Sequence, residues 1–112
     1  MALVGAGHVY DWGYNTVATL GLGDGIDRLL PEYLPGSNEV IAISAGAAHC
    51  LTLNSNGTIT CWGWNVYGQL GLGDFTTRLV PVNQPGTAAK QIAACFGHSF
   101  LLTAGGEILG TG

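Results

Sequence analysis

A glycine-rich loop motif occurs twice in this chain of 112 residues. The first copy, DWGYNTVATLGLGD, spans residues 11–24, and the second copy, CWGWNVYGQLGLGD, spans residues 61–74. Trp, Gly, Asn and the closing LGLGD recur at matching positions, fifty residues apart. A repeat of about this length is typical of propellers, solenoids and arrays, in which each unit packs against its neighbours. We therefore expect repeated structural units.

The repeat continues on both sides of this loop. After the loss of one residue, HCLTLNSNGTIT at residues 49–60 matches HSFLLTAGGEIL at residues 98–109. Both segments alternate apolar and polar residues around a glycine turn, which predicts a β-hairpin. RLVPV at residues 78–82 predicts an outer strand, because proline cannot donate to a central ladder. The complete copy therefore has four predicted strands, at residues 40–45, 49–53, 58–62 and 79–84.

Three segments follow from the pattern of repeats. Residues 1–38 are predicted to supply the third and fourth strands of one blade, residues 39–86 a complete blade, and residues 87–112 the first to third strands of another. The predicted fold class is all-β, with four-stranded antiparallel propeller blades and two blade-equivalents per chain. An incomplete blade exposes unpaired backbone. Two interpretations are open: head-to-tail assembly of identical chains, giving six or eight blades, or a fragment of a larger propeller.

Composition restricts the classes of partner. The net charge is −4 with only three Lys and Arg residues, so no basic stripe is available for nucleic acid. The longest apolar stretch, residues 40–53, is interrupted and too short for a membrane span. No signal peptide is predicted, and the three cysteines, without C-x-x-C spacing, are expected to be buried in strands. Localisation stays open, with a soluble intracellular protein favoured.

The segment AGAAHCLTLNSNGTITCWGWNVYGQLGLGD, residues 45–74, resembles the repeat of the regulator of chromosome condensation family. The resemblance covers essentially the whole chain, and it implies a β-propeller, usually of seven blades with four antiparallel strands each. The sequence departs from the family pattern at Ala18-Thr19, at residues 94–97 and at Thr111-Gly112, where Trp-Gly is expected. The resemblance also implies guanine-nucleotide exchange on a small GTPase as an alternative function, although no exchange loop is matched.

Structural roles are predicted for the residues that recur. A Trp at the end of the third strand packs on the neighbouring blade, and the Asn after it satisfies turn backbone. The His that opens the second strand holds backbone through its ring, and the glycines adopt turn conformations. These structural residues are Trp12, Gly13, Asn15, His49, Gly57, Trp62, Gly63, Asn65, His98 and Gly106.

Catalytic and metal sites are not predicted. No Ser or Cys nucleophile recurs with His and Asp partners, so we expect a protein that is not an enzyme. Asp24 and Asp27 resemble part of a calcium loop, but the second copy keeps only Asp74, so neither a metal nor a cofactor is expected.

Protein partners are predicted to contact the loop positions that vary between copies. The candidate binding residues at these positions are Tyr14, Thr16, Phe75 and Thr76. Asp24 and Arg28, which lie beside them and recur in both copies, are also candidates and are expected to form an ion pair. The predicted function is a protein-interaction or scaffold module that assembles with itself through complementary half-blades. Nucleotide exchange and a structural role in a virion, fibre or surface are the alternatives.

Overall fold

Three antiparallel sheets make up the computed structural model, which describes residues 1–86 and 88–112. The first sheet contains β1 (Ala2–Val4), β2 (His8–Gly13) and β3 (Arg28–Tyr33). The middle sheet contains β4 (Val40–Ala45), β5 (His49–Asn54), β6 (Ile59–Gly63) and β7 (Arg78–Asn83). The third sheet contains β8 (Ala89–Ala94), β9 (Ser99–Thr103) and β10 (Ile108–Thr111). The predicted all-β fold with blade-like antiparallel sheets is confirmed.

The middle sheet is a complete four-stranded blade in the order β4-β5-β6-β7. Its central hairpin pairs His49 with Gly63 and Leu53 with Ile59. The turn closes with a hydrogen bond of 2.9 Å from the Asn54 N–H to the Thr58 carbonyl, and Gly57 adopts a φ of +86°. A positive φ is costly for a residue with a Cβ, so a glycine at this position favours the tight turn. The sequence pattern predicts a hairpin turn here.

Strand β1 was not predicted by the sequence pattern. It pairs antiparallel with β2, with Ala2 opposite Tyr10 and Val4 opposite His8. The first sheet therefore contains equivalents of the second, third and fourth strands of a blade, one strand more than the pattern indicates. A strand of three residues is too short to show a detectable alternation.

Two apolar clusters join the three sheets, each lying between adjacent sheets. Strand β6 contributes to both, because successive side chains of a strand point to opposite faces. Cys61 lies in the cluster facing the third sheet, and Trp62 in the cluster facing the first. The buried members between the first and middle sheets are Val9, Leu34, Val40, Cys50 and Trp62. Those between the middle and third sheets are Leu51, Leu53, Ile59, Cys61, Leu70 and Ala89.

The cysteines differ in their surroundings. Cys50 and Cys61 are buried in strands, as predicted, but Cys95 is exposed in the turn after β8, so the prediction is wrong there. Burial raises the pKa of the Cys50 thiol above its usual range and that of Cys61 to about 12. Both buried thiols therefore stay protonated near neutral pH.

Across the part of the chain that the structure describes, no helix combines the length and the hydropathy that a bilayer crossing requires.

Candidate interaction surface on the connector loops

Each connector loop, residues 14–27 between β2 and β3 and residues 64–77 between β6 and β7, is organised by one buried Asn. In the second loop, Asn65 Nδ2 donates to the Asp74 carbonyl, Asp74 Oδ1 and the Thr76 carbonyl at 3.0–3.2 Å. Its Oδ1 accepts the Leu70 N–H at 2.9 Å. In the first loop, Asn15 makes the equivalent four contacts. One amide thus fixes both ends of each loop.

A salt bridge holds each connector loop where the chain enters the fourth strand. Arg28 Nη2 lies 2.8 Å from Asp24 Oδ2, and Arg78 Nη2 lies 2.7 Å from Asp74 Oδ2. Hydrogen bonds from the guanidinium and from a backbone N–H two residues along the chain lower the pKa of both Asp carboxyls below the usual range. Two candidate binding residues, Asp24 and Arg28, therefore contact each other and form part of the loop's framework.

Acid is expected to weaken both connector loops. Because Asp24 and Asp74 have lowered pKa values in the folded chain, their stabilisation is complete above the ordinary Asp pKa of about 3.9 and is lost as pH falls through the folded values. We expect the free energy of unfolding, measured by urea titration, to decline below about pH 4. The Asp24→Asn/Asp74→Asn double variant should show a shallower decline, whereas exposed Glu107→Gln should follow the wild type. An equally steep decline in the double variant would contradict this.

Asn65→Ala is expected to lower the free energy of unfolding by about 2–4 kcal/mol, because it leaves several buried backbone groups without partners. These include the Leu70 N–H and the carbonyl of Asp74. The measurement is a urea unfolding curve, with Asn56→Ala in the exposed hairpin turn as the matched control. A loss no larger than that of the control would show that the amide does not organise the loop.

The first connector loop also packs against a Trp of the middle sheet. Trp62 is completely buried, and its Nε1 donates to the Thr19 carbonyl at 2.9 Å. A Cβ placed on Gly21 would lie 2.7 Å from Trp62 Cδ1, so the glycine leaves room for the indole ring. Trp12 occupies the equivalent position in the first sheet and is 40 % exposed. The same residue is therefore buried only where another sheet precedes it.

The two repeated histidines also have different environments. His49 is buried, its Nε2 lies 2.8 Å from Ser99 Oγ, and burial lowers its pKa. The His49 ring thus links the middle sheet to a side chain of the third sheet. His98 is exposed, and its ring lies 6.5 Å from that of Phe100, nearly parallel to it.

Exposed apolar side chains gather where the second connector loop meets the turn between β8 and β9. Phe75 and Phe96 are each 72 % exposed, and with Val66 and Tyr67 they line a concavity of about 620 Å³. We call these four residues the connector surface. Large exposed apolar patches mark sites of protein contact.

Of the candidate binding residues, only Phe75 lines this concavity, next to exposed Thr76. Tyr14 and Thr16 are exposed on the first connector loop and are not part of its lining. The sequence pattern missed Val66, Tyr67 and Phe96. For Phe96 a signal existed, because it falls in residues 94–97, where the last copy departs from the repeat.

The described residues contain no group of three or more His, Cys, Asp or Glu side chains placed to hold a metal ion. The connector surface consists of exposed apolar side chains beside a loop that is fixed by internal hydrogen bonds.

Comparisons with known proteins agree with the repeat. The model of the regulator of chromosome condensation (RCC1) repeat matches residues 6–53 and 56–102. The ultraviolet-B receptor UVR8 of Arabidopsis thaliana is 35 % identical over 55 residues, which cover 47 % of this chain and 12 % of that protein. The human WBSCR16 structure has a TM-score of 0.87 at 25 % identity, covering 96 % of this chain and 29 % of that one.

Yeast RCC1 (Prp20), solved with Kap60 bound, has a TM-score of 0.76 at 26 % identity, covering 93 % of this chain and 25 % of that one. The chain therefore spans less than a third of the length of each of these three relatives.

Proposed function

Because the chain belongs to the regulator of chromosome condensation (RCC1) repeat family, we propose that it is a non-catalytic propeller module that binds a protein through the connector surface. The observation that carries this proposal is the pair of exposed phenylalanines, Phe75 and Phe96, beside loops fixed by internal hydrogen bonds. An aromatic anchor on a rigid loop binds at a low entropic cost, which favours protein recognition. Yeast RCC1 (Prp20), solved with Kap60 bound, supports a protein partner.

Loss of the two phenylalanines tests the binding proposal. The Phe75→Ser/Phe96→Ser variant should lose proteins that the wild type retains in a quantitative pull-down. The matched control is Leu79→Ser, which removes an exposed apolar residue from the outer strand of the middle sheet. Equal retention by the wild type and the double variant would contradict a role for the connector surface.

Self-assembly is the second part of the proposal. Among the residues that the structure describes, the first and third sheets each have three strands and the middle sheet has four, so each outer sheet lacks a different strand of the blade. Head-to-tail contact that displaces one strand from each outer sheet would build one four-stranded blade from two copies, giving six blades from three chains or eight from four. Light scattering tests this directly, since a well-folded monomer across micromolar concentrations would contradict it. A particle or filament seen by electron microscopy would favour the structural alternative.

Guanine-nucleotide exchange is the alternative that family membership favours. The chain covers 25 % of yeast RCC1 (Prp20), so the test asks whether these two blade-equivalents support exchange. Release of a fluorescent nucleotide from a panel of small GTPases tests it, and stimulated release that Phe75→Ser abolishes would select this function.

A further inference from the structure

The two sheet junctions of the chain are filled differently. At the first junction the indole of Trp62 occupies the space over Gly21. At the second junction the equivalent of Trp62 is Thr111, whose Oγ1 donates to the Gly68 carbonyl at 2.8 Å. A threonine replaces only part of the volume of an indole ring. The second connector loop therefore packs against a threonine, whereas the first packs against a tryptophan.

A cavity of about 310 Å³ lies at this second junction, and it is lined in part by Gly71, Phe100, Leu109 and Thr111. Gly71 is the repeat equivalent of Gly21, and a Cβ placed on it would meet the side chain of Gln84 and lie 3.3 Å from Thr111 Cγ2. The glycine that makes room for an indole is thus kept where no indole is present. The Gln84 amide now lies over Gly71, where its Nε2 donates to the Leu70 carbonyl at 2.8 Å. An indole that entered this junction as Trp62 enters the first would displace that amide and fill the adjoining cavity.

Trp12 lies on the opposite side of the molecule. Its side chain is 40 % exposed, whereas Val9 on the other face of β2 is completely buried against the middle sheet. The strand that carries Trp12 pairs on one side with β3 and on the other only with the three-residue β1. Strand β2 therefore carries an exposed indole, and the strand at its edge is short. The Met1 amino group lies 3.5 Å from Asp11 Oδ1 and Leu3 packs against the apolar cluster, so release of β1 would break these two contacts.

Strand β10 is the matching weak element of the third sheet. It has four residues and pairs only with β9. Ile108 is 74 % exposed and Leu109 is 42 % exposed, so little apolar area holds β10 in place. Edge strands with few buried contacts open locally at a low free-energy cost.

From these observations, and resting on the proposed self-assembly, we propose that β2 of a second copy replaces β10 beside β9 and inserts Trp12 into the cavity under Gly71. Its indole N–H would donate to the Gln69 carbonyl, the repeat equivalent of the Thr19 carbonyl that Trp62 uses. The composite blade would then hold β8 and β9 from one copy and β2 and β3 from the other. Strand β2 would keep its Val9 face on its own middle sheet. The exchange would release only β1 and β10, the two shortest strands.

Sedimentation velocity over a concentration series tests this inference with two opposite variants. Trp12→Thr removes the inserted ring and should weaken self-association by at least about thirtyfold, as for a Trp at the centre of an interface. Thr111→Trp fills the cavity within one copy and should give a monomer with a higher melting temperature. The matched control, Leu79→Thr in the middle sheet, removes an exposed apolar side chain and should assemble like the wild type.

The outcomes separate this inference from the function on which it rests. A wild type that stays monomeric overturns self-assembly and the strand exchange together. A wild type that assembles, with both variants assembling equally well, overturns the strand exchange alone. If Trp12→Thr fails to fold, Thr111→Trp still decides, because it leaves β2 unchanged: an assembled Thr111→Trp overturns the inference.

Discussion

Trp62→Ala is expected to lower the free energy of unfolding by about 3–5 kcal/mol. The indole is completely buried between the first and middle sheets, and its N–H is paired with the Thr19 carbonyl. Removal leaves a large cavity in the junction, and the Thr19 carbonyl keeps only the weaker Cys50 thiol donor at 3.4 Å. Small domains have total stabilities of about 5–15 kcal/mol, so this single change should consume much of the total.

Trp12→Ala is the matched control for that prediction, because it removes the same residue from the same repeat position. Trp12 is 40 % exposed, so in the dissociated chain the loss should be about 1 kcal/mol or less. Urea unfolding followed by circular dichroism, at concentrations below self-association, compares the two variants. Equal losses would show that the neighbouring sheet does not determine the role of the repeated Trp.

Gly63→Ala is expected to lower the free energy of unfolding by at least about 3 kcal/mol, because strain and a backbone clash act together. Gly63 has a φ of +98°, and a Cβ there would lie 2.6 Å from the Ala48 carbonyl oxygen and 2.9 Å from His49 Cα. Both neighbours are backbone atoms, one at the start of β5 and the other in the residue directly before it, so they cannot move aside without disturbing the β5–β6 ladder.

Gly13→Ala separates the two effects. Gly13 is the repeat equivalent of Gly63, with a φ of +108°, but no atom of residues 1–86 or 88–112 is found within 4 Å of an added Cβ. Only the strain of the backbone conformation remains, which costs about 1–3 kcal/mol. Thermal unfolding of both variants measures the difference, and a Gly13→Ala variant as unstable as Gly63→Ala would contradict the role of the close contact.

The repeat predicts the regular part of the fold well, because it marks the hairpins and outer strands of the middle sheet in two independent copies. Within the middle sheet, observed strand ends differ from the predicted ends by one residue at most. Strand β1 escapes prediction because three residues carry too little pattern. Periodicity therefore predicts strands that are long enough to alternate.

Burial at the repeated positions cannot be predicted from the repeat itself. Trp12 and Trp62 have the same local sequence, WG, yet one is exposed and the other is completely buried, because only one has a sheet packed on that side. The connector surface is non-local for the same reason. Phe75 and Phe96 meet only when the third sheet packs against the middle one, and no spacing rule links two separate loops.

Within one copy, Trp62 at the end of the third strand joins two sheets by inserting under the preceding connector loop, and we propose that Trp12 does the same between copies. Acrylamide quenching of a Trp64→Phe variant, which keeps only Trp12 and Trp62, tests it over a concentration series. We predict one protected and one accessible indole at low concentration, with the accessible one becoming protected as the concentration rises. Two indoles quenched equally at every concentration would contradict the claim.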